Sequence, residues 1–103
     1  MKSTMAKSRA EIIAAIDAYM QKFQYRNSDW YVGIATDPRE RLFNDHNVEE
    51  KNGIWIYEPA TSDTVARAVE QAYLDTGHDG GSSGGDQSSV YVYAYVKLQG
   101  TVR

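Results

Sequence analysis

The chain contains no cysteine, which excludes disulfide staples, thiol nucleophiles and thiolate metal sites together. It has only two histidines, His46 and His78, too few and too far apart for a zinc motif. No apolar run approaches the roughly 20 residues that a membrane-spanning helix needs, so no membrane partner is expected. The start, MKSTMAKSRAE, is charged and leads into an amphipathic pattern rather than the apolar segment of a secretory signal, and the expected location is cytoplasmic. Basic charge is also scarce. Eleven Lys and Arg face fourteen Asp and Glu, a net charge of -3, opposite to the balance of a stand-alone nucleic-acid binder. A local field in a cleft counts for more than the net value, however, and Arg39, Arg41 and Arg67 are candidates for one positive patch.

What is present is enough for one domain. A length of 103 residues, 42% of them hydrophobic, supports a modest core and leaves no room for a second. Ser8 and Glu11 form a capping-box pair, and Ile12, Ile16, Tyr19, Met20 and Phe23 follow at helical spacing, predicting a helix over about 8–23. A strand is expected at 30–35, where Trp30, Val32 and Ile34 alternate with Tyr31 and Gly33. Asp37 as N-cap, Pro38 at the first helical position and Glu40 three residues after the cap predict a second helix from 38 to about 47. Gly53 precedes a β-rich run, Ile54 to Tyr57, that ends at Pro59. Ser62 caps a third helix that stops at Gly77.

The segment 78–89, HDGGSSGGDQSS, holds four of the chain's eight glycines and reads as a loop long enough to be either functional or disordered. Its composition predicts mobility over 80–88, as a lid or as plain disorder; an anion-binding nest is the other reading. After it, Val90, Val92, Ala94, Val96 and Leu98 alternate with Tyr91, Tyr93, Tyr95 and Lys97, the clearest strand of the chain. The valine face is expected to be buried. The tyrosine face is either an exposed base-stacking platform or core beneath a helix, and three helices in need of apolar partners favour coverage. The whole predicts a single α+β domain, 1–103, with helices packed on a small three-stranded sheet and room for a fourth short strand at 23–26.

One stretch carries chemistry. In WYVGIATDPRERLFNDH, Trp30 to His46, a Tyr-x-Gly strand is followed at a fixed distance by a helical arginine. This stretch resembles the second half of the signature of the GIY-YIG nuclease superfamily, with Tyr31, Gly33 and Arg41 at the matching positions. Ala66 and Glu70 in TVARAVEQAYL are similar to the family's later Ala-x-x-x-Glu. The resemblance covers about 30–76 and departs from the pattern in two respects: no Gly-Ile-Tyr strand precedes Trp30, where a helix and a polar turn are read instead, and the family's asparagine near the end of the domain is not identifiable, since a glycine-rich stretch occupies that region. It implies a GIY-YIG-like fold and a Mg²⁺- or Mn²⁺-dependent nuclease or phosphodiesterase acting on DNA or RNA, with Tyr31, Arg41 and Glu70 catalytic and Glu70 the metal ligand; His46, on the same helix as Arg41, is added as a further catalytic candidate.

Each of these residues has a plainer reading as well. A guanidinium can hold two phosphate oxygens and stabilise growing negative charge, yet helical arginines are commonly just solvated. One carboxylate suffices for Mg²⁺ when water and phosphate complete the shell. A tyrosine such as Tyr31 ionises near pH 10 and needs a cation nearby to act as a base; otherwise it simply packs on the sheet. His46 is either a proton donor or acceptor or a ring well placed at a helix C-terminus. The competing function is therefore a catalytically inactive binding module for nucleic acid, a nucleotide or a protein.

Overall fold

A computed structural model describes residues 6–81 and 88–103. The centre of the glycine-rich stretch, 82–87, and with it most of the expectation of a mobile loop, lies outside the described residues. The chain forms α1 (Arg9–Met20), β1 (Trp30–Ala35), α2 (Pro38–Glu40, continuing as a π-helical turn over Arg41–Asp45), β2 (Trp55–Pro59), α3 (Asp63–Asp75) and β3 (Tyr91–Val96). The three strands form one antiparallel sheet in the order β1–β3–β2, so the expected α+β fold is found. Among the described residues no helix is long and apolar enough to cross a membrane.

Local chemistry accounts for where the helices begin. The Ser8 hydroxyl accepts from Glu11 N at 3.3 Å while the Glu11 carboxylate accepts from Ser8 N at 2.8 Å, a complete capping box. Asp37 accepts from Glu40 N at 3.1 Å with Pro38 behind it, and Ser62 accepts from Val65 N at 3.1 Å. The first helix ends at Met20, earlier than its apolar spacing predicts, and the chain turns through 21–23 so that Phe23 still meets Tyr19 and Trp30 edge to face or tilted. No strand forms at 23–26; a 3₁₀ turn, Asn27–Asp29, leads into β1 instead.

The sheet is buried on both faces. On one, Trp30, Val32 and Ile34 of β1 and Val92, Ala94 and Val96 of β3 pack with Ile12 and Ile16 of α1 and Ala66, Val69 and Tyr73 of α3. On the other, Tyr93 and Tyr95 join Ala35, Leu42 and Val48, with Tyr31, Phe43, Trp55 and Tyr57 at the margin. The tyrosine face is thus a second core under α2 rather than an open platform. Strand pairing places Tyr31 beside Tyr95 and Gly33 beside Tyr93 on this face.

Candidate functional site

Glu70 lies on α3, whereas Arg41 and His46 meet the tyrosine face because α2 does not continue as an α-helix. After its capped first turn, His46 N donates to Arg41 O at 2.8 Å, an i→i+5 bond, and Val48 N donates to Leu42 O at 2.9 Å. In an α-helix, residues five apart point about 140° away from each other. The wider turn brings both to bear on the same tyrosines, and π turns of this kind are frequent at functional sites. Residues 101–103 lie against the turn: Val102 N donates to His46 O at 2.7 Å.

His46 is 6% exposed and its ring is fully engaged. Nδ1 lies 2.7 Å from Val102 O and Nε2 lies 2.7 Å from the Tyr93 hydroxyl. A carbonyl can only accept, so Nδ1 carries the proton and Nε2 accepts from Tyr93. Burial lowers the His46 pKa below its ordinary value; the Arg41 charge also lowers it, while Val102 O and Asp45 oppose the shift. The ring is therefore the neutral tautomer near pH 7. Tyr95 donates to Val102 O at 3.1 Å beside it, and Tyr31 stacks across the group, 4.7 Å from the His46 ring and 5.3 Å from that of Tyr95.

Arg41 and Glu70 act on the same pair of phenols. At Tyr31, burial raises the pKa most, the Gly81 N–H lowers it, the Asp79 and Glu70 charges raise it and Arg41 lowers it. At Tyr93, burial again raises the pKa, with Tyr31 and Glu70 adding to the rise and Arg41 opposing it. Tyr31, His46 and Tyr93 thus pack together, and the charges of Arg41 and Glu70 are felt at both phenols. Arg41 has a facing carboxylate, Asp45, at 3.6 Å, but both side chains are substantially exposed, and such a surface pair is readily exchanged for a phosphate. Arg41 also lines an open concavity of about 350 Å³ with Ile34, Thr36, Asp37, Glu40 and Ser89.

Glu70 is 6% exposed on α3. Burial raises its pKa and Arg67 pulls it down. A carboxyl so placed suits a proton or a cation as partner. Among the described residues no three His, Asp or Glu side chains gather around one point, so a divalent ion at Glu70 would take its remaining ligands from water and a substrate phosphate. The three candidate arginines do not form an uninterrupted positive patch: Arg39 pairs with Glu50, Arg41 with Asp45 and Arg67 with Asp63. Arg39 lies instead over the rings of Phe43 and Trp55, at 5.0 and 6.0 Å.

Tyr93 is the residue that the sequence motifs left unassigned. It is 1% exposed, and its ring lies so close over Gly33 that a Cβ there would stand 2.5 Å from the phenolic oxygen. This is why Tyr31 and Gly33 are separated by one residue on the same strand: the glycine makes room for the neighbouring strand's tyrosine. The tyrosine beside the Tyr31 strand comes from β3, at Gly33's partner position 60 residues further along the chain. The strict alternation of Tyr91, Tyr93 and Tyr95 was the available signal, but it carries no information about which strand β3 joins. No family model matches this chain, and no curated protein or solved structure gives a significant match to it.

Proposed function

We propose that this cleft is a phosphodiesterase site of the GIY-YIG kind, acting on DNA or RNA, in which Tyr31, Arg41, His46, Glu70 and Tyr93 work together. The observation that carries this reading is that the Tyr31 ring lies 4.7 Å from the His46 ring, whose Nε2 is 2.7 Å from the Tyr93 hydroxyl, on the sheet face where the helix bearing Arg41 packs. Positioning is most of what such a site contributes.

The residues divide the work by their surroundings. Arg41, half exposed at the mouth, takes a non-bridging phosphate oxygen and stabilises the charge that grows there as water attacks phosphorus. Tyr31, the more accessible of the two phenols, orients that water. The neutral His46 with Tyr93 forms a proton-accepting pair behind it, since Nε2 can take the Tyr93 proton as the phenol receives another. Glu70 would hold Mg²⁺ or Mn²⁺, which supplies Lewis-acid stabilisation of the phosphate when bound.

Cleavage of labelled single-stranded, duplex and structured DNA and RNA with Mg²⁺ or Mn²⁺ tests the proposal. Cleavage should vanish with chelator, and Arg41→Ala and Glu70→Ala should each lower it about a hundredfold or more while remaining folded. Equal cleavage by both variants would remove these residues from the site. No cleavage of any substrate, with Arg41-dependent retention of a phosphate ligand, would establish the binding module instead, a reading that the acidic partner beside each arginine favours.

A further inference from the structure

We propose that Asp79, Gly80 and Gly81 form a positioning clamp that fixes the Tyr31 hydroxyl within the cleft. The inference takes its catalytic meaning from the function proposed above, but the clamp itself rests on separate geometry. It assigns a role to the opening of the glycine-rich stretch, whose composition alone reads as a flexible loop.

Asp79 adds a single parallel rung to the outer edge of β1. Its N–H donates to Trp30 O at 2.9 Å and its carbonyl accepts from Val32 N at 2.8 Å, so it grips the backbone on both sides of Tyr31. Its side chain is held from three directions. One carboxylate oxygen accepts from Gly80 N at 2.8 Å and from Arg103 Nη2 at 3.0 Å. The other accepts from Lys97 Nζ at 2.9 Å and from Arg103 Nε at 2.7 Å. The arginine pair is bidentate, the stronger and more directional kind, and the carboxylate is only 18% exposed. This arrangement ties the β1 edge to the residues that follow β3 and to Arg103.

The two glycines then complete the approach. A Cβ at Gly80 would stand 2.5 Å from Val32 O and 2.7 Å from Leu74 Cδ2, so the segment can run this close to β1 only without a side chain. At Gly81 a Cβ would stand 3.0 Å from the Tyr31 oxygen, so the backbone of Gly81 reaches the phenol, and its N–H is the donor that the clamp offers to that oxygen. A donor at that oxygen leaves the phenol to present its own proton elsewhere. Tyr31 is thereby held stacked on Tyr95 and tilted against His46. A mere tether for the loop would need the rung alone and would not need glycine at the point of contact with the phenol.

The test reads the Gly81 amide by NMR in the free protein and needs no substrate. Tyr31→Phe should move the Gly81 amide proton upfield, and Asp79→Asn should move it towards the same position while the amides of Tyr93 and Tyr95 stay in place. Lys97→Met and Arg103→Ala weaken the clamp from the other side and should produce the same shift in smaller measure, which keeps the test open if Asp79→Asn folds poorly. A Gly81 amide that ignores Tyr31→Phe would show that the hydrogen bond is absent. A shift with Tyr31→Phe but none with the Asp79, Lys97 and Arg103 variants would reduce the aspartate to a tether, and either result overturns the proposal. Where cleavage is found, Asp79→Asn should lower kcat about tenfold with little change in KM, because it misplaces a group without removing a substrate contact. Absence of cleavage with the amide shifts intact would overturn the nuclease reading and leave the clamp standing.

Discussion

The His46 ring donates through Nδ1 to the Val102 carbonyl and accepts through Nε2 from the Tyr93 phenol, and an imidazolium would lose the second of these bonds. Its folded pKa lies below the ordinary value of 6.5, with burial the main cause. In the window between the folded and unfolded pKa values the unfolded chain binds more protons, so stability rises with pH there. The contribution of His46 is therefore fully present above about pH 6.5 and is lost as pH falls through the folded value. His78 is shifted the same way and Glu70 the opposite way, so the whole-protein profile mixes signs and a difference measurement is needed. Urea midpoints between about pH 5 and 8 should fall more steeply with acidification for wild type than for His46→Asn. Parallel profiles would show that His46 is not buried as a neutral ring. The sequence leaves His46 open between a proton carrier and a ring well placed at a helix C-terminus. Its partners, Tyr93 and Val102, lie 47 and 56 residues away, beyond anything local spacing conveys.

At the scale of elements, the starts of the helices were legible and their continuations were not. Caps are local chemistry: Ser8, Asp37 and Ser62 each bond within three residues, so the sequence states them directly. The wide turn after Glu40 depends instead on the backbone of residues 101–103 meeting His46, and LFND alone gives no reason for an i→i+5 bond. The same holds for the absent strand at 23–26, where β1 takes its outer partner from Asp79 rather than from the preceding residues. A pair of substitutions separates backbone from side chain in this arrangement. Val102 is 54% exposed, so Val102→Ala should be nearly neutral in stability, whereas Val102→Pro removes the N–H that satisfies His46 O. Leaving that carbonyl unpaired should cost about 1–3 kcal/mol, and denaturation curves would measure it. Equal curves for the two variants would mean that the wide turn holds itself without residues 101–103.

For the molecule as a whole, the decisive feature is that the strand last in sequence is central in space. β3 pairs with both β1 and β2, so neither of the other strands has a sheet to join until residues 91–96 arrive. Period-two alternation correctly made Val92, Ala94 and Val96 core, but it also implies an outer face, and here there is none. Tyr93 and Tyr95 are as buried as Val92, because α1 and α3 cover one side and α2 the other. Alternation reports the chemistry of two faces, not how many of them are covered, and coverage is set by where three separate helices dock. Tyrosine suits the second core because its ring fills volume while its hydroxyl finds a polar partner, here His46 or Val102. A one-core sheet and a two-core sheet therefore differ in what a carboxylate does on each face. Val92→Asp should lose roughly 2 kcal/mol or more by burying an unpaired charge. Tyr95→Asp should lose at least as much, since it adds the loss of a large buried ring. Tyr91→Asp, half-buried at the start of the strand, should lose clearly less than either. Chemical denaturation of the three variants reads this order directly. A Tyr95→Asp midpoint close to wild type would mean that α2 stands away from the sheet in solution, and that the site assembled beneath it is not formed.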